Sequence, residues 1–209
     1  MSQRLVVIDS QVSALASLVD ALEGTASILI LQAGQPALAQ IEAFAAGHAG
    51  ASALHLISHG RAGALLLGGE VLDADAVHSQ SEQLARIGAL LGPDAALMVY
   101  GCEAGAGESG NAFVEALSQS MGVGVAASGD RTGAASASGD WELEVTAGAV
   151  NESALAVSDY PEILAVLTGT DGPDALFGQG ENDTISAGRG DDVVYGDAGN
   201  DSIDGGAGT

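Results

Sequence analysis

From Gly169 onward the chain keeps a nine-residue period, and no other feature constrains its folding as much. Four frames run in phase: Gly169-Thr-Asp-Gly-Pro-Asp-Ala-Leu-Phe, Gly178-Gln-Gly-Glu-Asn-Asp-Thr-Ile-Ser, Ala187-Gly-Arg-Gly-Asp-Asp-Val-Val-Tyr and Gly196-Asp-Ala-Gly-Asn-Asp-Ser-Ile-Asp. The glycines allow tight turns with positive φ. The sixth position is always aspartate: Asp174, Asp183, Asp192 and Asp201. The eighth is Leu176, Ile185, Val194 and Ile203, enough to fill a thin core. Glu181 and Ala187 depart from the glycine pattern and weaken individual sites. A disordered acidic tail is the rival reading, but a period held in phase through four frames argues against it. A fifth frame, Gly205-Gly-Ala-Gly-Thr, stops before its aspartate, so the array is expected to continue in a longer parent protein.

This stretch resembles the RTX nonapeptide, Gly-Gly-x-Gly-x-Asp-x-hydrophobic-x. The resemblance implies calcium binding. Calcium is a hard cation that takes carboxylate and carbonyl oxygens in flexible geometry. It also implies a parallel β-roll with two nonapeptides per turn and ions between stacked turns. Asp174 then pairs with Asp192 and Asp183 with Asp201, with Asn182, Asp191 and Asn200 as further metal-site residues. Stacked carboxylates repel without metal, so folding and calcium binding are expected to be one event. The resemblance places the protein outside a bacterial cell, secreted or at the cell surface, by type I secretion.

Charge agrees with that placement. The chain has 28 acids against five arginines and no lysine, a net charge of -23. Such a field repels nucleic acid and anionic lipid and attracts divalent cations. No apolar run is long enough to span a bilayer. The start, Met1-Ser-Gln-Arg-Leu-Val-Val-Ile-Asp, reads as a strand and not as an export signal, so the signal is expected elsewhere. The single cysteine, Cys102, makes no internal disulfide.

Ahead of the repeats the grammar is different. Continuous apolar strands at 4–9, 27–32, 53–58, 95–100 and 123–127 alternate with helical stretches at 12–22, 36–46, 73–91 (broken) and 109–121. A hairpin is expected around Gly68-Gly69, and a late strand over 139–145 carries Trp141. This alternation indicates an α/β fold with a mostly parallel sheet sandwiched by helices. The expected organisation is an α/β domain over 1–150, a connector over 151–168 and a truncated repeat array over 169–209.

Two of these strands end in reactive side chains: Ser58-His59-Gly60 and Tyr100-Gly101-Cys102-Glu103. In an open parallel sheet, sites gather at the carboxyl ends of strands. If the two strands are neighbours, His59 and Cys102 stand together there. A thiol beside an imidazole is the minimum for nucleophilic catalysis. The N–H groups of Gly60 and Cys102 could serve as an oxyanion hole. Glu103 and Asp130 lie near the presumed cleft and are candidates to select a basic substrate side chain. His55, inside its strand, reads as structural; His48 and His78 fall in loop or helix-surface positions.

The Leu54-His-Leu-Ile-Ser-His-Gly60 run, the Leu65-Leu-Leu-Gly-Gly that follows it and the Tyr-Gly-Cys-Glu block resemble the caspase–gingipain–separase clan of cysteine peptidases, CHAT-type domains above all. Residues 4–150 also resemble an uncharacterised family found near the start of large bacterial RTX proteins. The clan resemblance implies a caspase-like fold, with His59 as general acid or base and Cys102 as nucleophile; some members are inactive scaffolds. The expected activity is that of a calcium-dependent cysteine endopeptidase acting on a polypeptide, its own parent chain included. A self-inflicted cut would fall in the stretch 147–166. The alternative is a non-catalytic module of a calcium-binding adhesin or surface protein, with Cys102 incidental. A nucleotide-binding reading is weak, because Asp9-Ser10-Gln11 offers no phosphate cradle.

Overall fold

The computed structural model describes residues 3–208 except 11, 13, 33, 69, 158, 162, 165, 170–171, 173–174, 178–183 and 197–201. The chain divides into two compact units, Met1–Leu164 and Ala165–Thr209.

The first unit is built on one six-stranded sheet. Its strands are β1 (Arg4–Asp9), β2 (Ser27–Leu31), β3 (Ala53–Ile57), β7 (Ala96–Tyr100), β8 (Gly124–Ala127) and β9 (Val145–Ala147), in the spatial order β2-β1-β3-β7-β8-β9. The first five are mutually parallel; β9 returns antiparallel to β8. Every residue of β3 and of β7 is buried, which is why these strands read as apolar runs, broken only by His55 in β3.

One face of the sheet carries Leu5, Val7, Leu54, Leu56, Leu97, Val99 and Val125. They share a core with Leu38 and Ile41 of α2 (Ala37–Ala46), Leu84 and Ile87 of α4 (Ser81–Leu90), and Phe113 and Leu117 of α5 (Gly107–Met121). The opposite face holds His55 and Tyr100 and is met by chain that returns after β8. There Trp141 packs against Tyr100 at 5.6 Å and against Tyr160 at 5.7 Å, and the Leu155 N–H donates to the Tyr100 hydroxyl at 2.8 Å. Leu155, Val157, Tyr160 and Leu164 are buried, so most of the expected connector docks onto the first unit. Leu18 and Leu22 of α1 (Leu15–Leu22) are also buried.

Local chemistry sets the element ends. Pro36 stands just before α2, where its missing N–H costs no bond. The Asp73 carboxylate accepts from the Ala76 N–H at 2.9 Å and starts α3 (Ala74–Ser79); Gln80 separates it from α4. Gly122 closes α5 in the left-handed region at φ 70°. The hairpin around residue 68 is a three-stranded antiparallel meander: β4 (His59–Arg61), β5 (Ala64–Leu67) and β6 (Glu70–Asp73). The expected strand over 139–145 is not one: ladder pairing begins at Val145, and before it Asp140 makes an isolated parallel bridge to Thr132. The Gly139 N–H bonds to Ala134 O, the Asp140 N–H to Arg131 O and the Glu142 N–H to the Asp140 side chain, so this backbone is held by the 131–134 loop and by its own side chain while Trp141 turns onto Tyr100.

In the second unit, frames pair with the frame eighteen residues on. Strands β10 (Val166–Thr168), β12 (Thr184–Ser186) and β14 (Ser202–Asp204) form one parallel ladder, and β11 (Ala175–Phe177) and β13 (Val193–Tyr195) form another. Residue 175 faces 193, and 184 faces 202. Ile185, on the middle strand of its ladder, is buried. Ile203, on β14 with β12 as its one neighbour among the described residues, is 49 % exposed.

Candidate functional site

Strands β3 and β7 are direct neighbours, with Ile57 opposite Tyr100. The ladder runs one bond further, from the Ser58 N–H to Tyr100 O at 3.0 Å. His59 and Cys102 thus follow at matching positions beyond the carboxyl ends of the two strands. Both are buried, each 3 % exposed.

The chains pass each other here too closely for side chains. A Cβ on Gly60 would stand 2.7 Å from the Gly101 carbonyl carbon and 3.0 Å from Cys102 O. One on Gly101 would stand 2.5 Å from a Leu65 methyl. Only glycine at 60 and 101 lets the two strand ends meet. The meander is tied down around them: the Ser58 hydroxyl donates to Leu66 O, and the Gly68 N–H to the Asp9 carboxylate at the end of β1.

The Cys102 sulfur is held by a loop from elsewhere. Its S–H donates to Thr132 O at 3.6 Å, and the Thr132 N–H donates to the sulfur at 3.3 Å. Burial pushes the thiol up to about 12. The Thr132 N–H, Arg131 and a hydrogen bond from the Leu164 backbone favour the thiolate, while Glu103 adds to the rise. The thiol is therefore protonated at neutral pH. Thr132 is fully buried, and its hydroxyl has no hydrogen-bond partner among the described residues.

The Gly60 N–H, one of the two expected oxyanion donors, points at protein. It donates to Leu164 O at 3.3 Å. The Leu164 N–H donates to Thr132 O at 2.9 Å, and Ile163 forms an antiparallel bridge with Gly133. A segment of the expected connector thus runs as a strand fragment between Gly60 of β4 and the Thr132 loop. Thr132 and Leu164 escaped the sequence reading: they lie 30 and 62 residues from Cys102, and no local motif marks them.

Glu103 and Asp130 are neighbours but exposed; the Glu103 N–H, with φ at 59°, donates to Asp130 O at 2.6 Å. Burial and the carboxylates of Glu144, Asp140, Glu142 and Glu103 raise the Asp130 pKa. Asp130, Asp140 and Glu144 bring carboxylate oxygens within 4.8 Å of one another, yet all three are exposed, and Asp140 and Glu144 already accept backbone N–H groups. His55 is a core residue as expected. Its ring stacks on Tyr100 and its Nδ1 lies 3.3 Å from the Tyr100 hydroxyl. Burial, with the Arg4 charge, lowers its pKa to about 4.

In the repeats, Asp191 and Asp192 are described; Asp174, Asp183, Asp201, Asn182 and Asn200 lie outside the described residues. A Cβ on Gly190 would stand 2.5 Å from Gly172 O and 3.0 Å from an Asp192 carboxylate oxygen. Likewise a Cβ on Gly206 would collide with Gly188 O, and one on Gly208 with Gly190 O. The glycines of one turn thus lie against carbonyls of the turn before. Carbonyl and carboxylate oxygens crowded around a glycine turn are the hard donors that calcium takes.

The model of a family described as a domain of unknown function, DUF4347, matches residues 5–164. A second, the RTX calcium-binding nonapeptide repeat, matches residues 166–193 and 177–209. These repeats bind calcium and are typical of proteins exported by type I secretion. No curated protein and no solved structure matches the chain. Among the described residues, no helix is long and apolar enough to cross a membrane.

Proposed function

For a chain that belongs to the DUF4347 family and continues into RTX repeats, we infer that the first unit is a cysteine endopeptidase of caspase-like architecture, working outside the cell where calcium folds the repeats. The observation that carries this reading is the juxtaposition of His59 and Cys102 beyond paired strands, with Gly60 packed against Gly101. In this reading Cys102 is the nucleophile. Burial keeps its thiol neutral at rest, so His59 takes the proton as the sulfur attacks and returns it to the leaving amine. The Gly60 N–H stabilises the developing oxyanion. Asp192 and Asp191, with their counterparts in the other frames, would hold calcium between stacked turns of a β-roll.

A non-catalytic module is the second reading. It is favoured by the hydrogen bonds that hold the buried Cys102 sulfur against Thr132. Cleavage decides between them. Purified chain and its Cys102→Ala variant are incubated with calcium or chelator, with a peptide library added, and cleavage is read by mass. The peptidase reading expects cleavage that needs the thiol and is faster with calcium. Equal behaviour of the two proteins on every substrate would sink it in favour of the module.

A further inference from the structure

The chain itself lies against Gly60 and the Thr132 loop beside Cys102, and the manner of this contact is specific. Leu164 is fully buried. Its carbonyl oxygen accepts the Gly60 N–H, the group assigned above to the oxyanion. Its N–H donates to Thr132 O, the atom that also accepts the Cys102 S–H. One residue earlier, Ile163 bridges Gly133 in antiparallel register. Peptide substrates are commonly held in this way, as an added strand whose main-chain bonds set the register and whose side chain fills a pocket. Nothing in an ordinary docked linker requires its carbonyl to take the N–H of Gly60, whose backbone packs against Gly101 and Cys102. Leu164 is also the last residue of the first unit and the last one matched by the family model.

We propose that Leu164 is the cis substrate of this site, that the bond cut is Leu164–Ala165, and that the cleft selects an apolar, leucine-like residue on the amino side of the cut. The inference rests on the peptidase reading and names its substrate. The steps balance without any external reagent except water. The Cys102 proton passes to His59 as the sulfur bonds to the Leu164 carbonyl carbon. The oxyanion keeps the Gly60 N–H. The tetrahedral adduct collapses, the bond to the Ala165 nitrogen breaks, and that nitrogen takes the proton from His59. Water, deprotonated by His59, then hydrolyses the Leu164 thioester and restores the thiol. The products are a first unit ending in the Leu164 carboxylate and a released repeat array beginning at Ala165. The new carboxylate lies where the carbonyl lay, so the processed first unit is slow on other substrates until its own end vacates the cleft.

The test uses the full chain with calcium, comparing wild type with Cys102→Ala, Ala165→Pro and Leu164→Gly. Fragments are read by intact mass and by sequencing their new amino termini, and Cys102 by its alkylation rate. Expected are wild-type fragments that end at Leu164 and begin at Ala165, and none from Cys102→Ala. Ala165→Pro should stay whole at this bond, because its leaving nitrogen is tertiary. Leu164→Gly empties the pocket and should raise Cys102 alkylation about tenfold or more, with circular dichroism confirming the fold. A Cys102-dependent cut at another bond, or faster cutting after arginine than after leucine in added peptides, overturns the inference and leaves the peptidase standing. An intact wild-type chain beside a Leu164→Gly variant that cuts leucine peptides also overturns it: Leu164 would then be a plug. No thiol-dependent cutting of any substrate removes both.

Discussion

The state of the Cys102 thiol can be worked from its surroundings and tested directly. A thiol with the ordinary value of 9.0 is about one-tenth thiolate at about pH 8; one held at about 12 is about one part in ten thousand. Iodoacetamide reacts with the thiolate. Native alkylation at about pH 8 should therefore run roughly a thousandfold slower than in urea-unfolded chain, before the 3 % exposure of the residue slows it further. The same shift has a thermodynamic face. A thiol whose folded value is raised contributes stability that is whole below about pH 9. It is lost between about 9 and 12, where the unfolded chain ionises and the folded chain does not. Three pH units correspond to about 4 kcal/mol. Alkylation is followed by intact mass in native buffer and in urea. Stability is followed by urea midpoints at about pH 8 and 10, in wild type and Cys102→Ala. Tyr100 is raised in the same direction by burial and remains in both proteins, so the difference isolates the thiol. Native alkylation within tenfold of the unfolded rate, or equal alkaline losses in the two proteins, would refute the argument. The site would then hold a resting thiolate.

His55 sets the opposite limit. Its pKa falls from 6.5 to about 4 by burial, so stability present above about pH 6.5 drains away as pH falls toward 4, by up to about 3 kcal/mol. In His55→Gln the urea midpoint should depend much less on pH over that range; an unchanged slope would assign the acid loss to other groups. Gly60→Ala presses a methyl onto the Gly101 backbone at 2.7 Å, where no side chain can yield. It should cost about 1–3 kcal/mol in thermal or urea unfolding and abolish thiol-dependent cleavage. A fully stable, active variant would contradict the close approach. Chelating calcium should open residues 165–209 to proteolysis while residues 4–164 stay protected, because the acidic turns lose the cation that offsets their repulsion.

The parts of this protein that sequence alone determined are those written in short periods. The nine-residue frame carries the resemblance to the RTX repeat, and that resemblance implied both the calcium chemistry and the eighteen-residue pairing that the strands adopt. Fully buried parallel strands are almost wholly apolar, so β3 (with His55 its one polar residue) and β7 could be read directly, along with the His59 and Cys102 that follow them. Their adjacency was only a condition in the sequence; sheet order made it a fact, because strand pairing depends on crossovers and not on local residues. The same is true of the fate of the two glycines, which face each other's backbone and not a turn. Trp141 read as part of a strand because a large apolar residue between polar ones alternates like one. Its ring instead found Tyr100 and Tyr160, and the neighbouring Asp140 bridges the Thr132 loop. What surrounds the Cys102 sulfur was beyond any motif. Thr132 and Leu164 meet Cys102 through single backbone N–H and C=O groups, which every residue carries and no sequence pattern can mark.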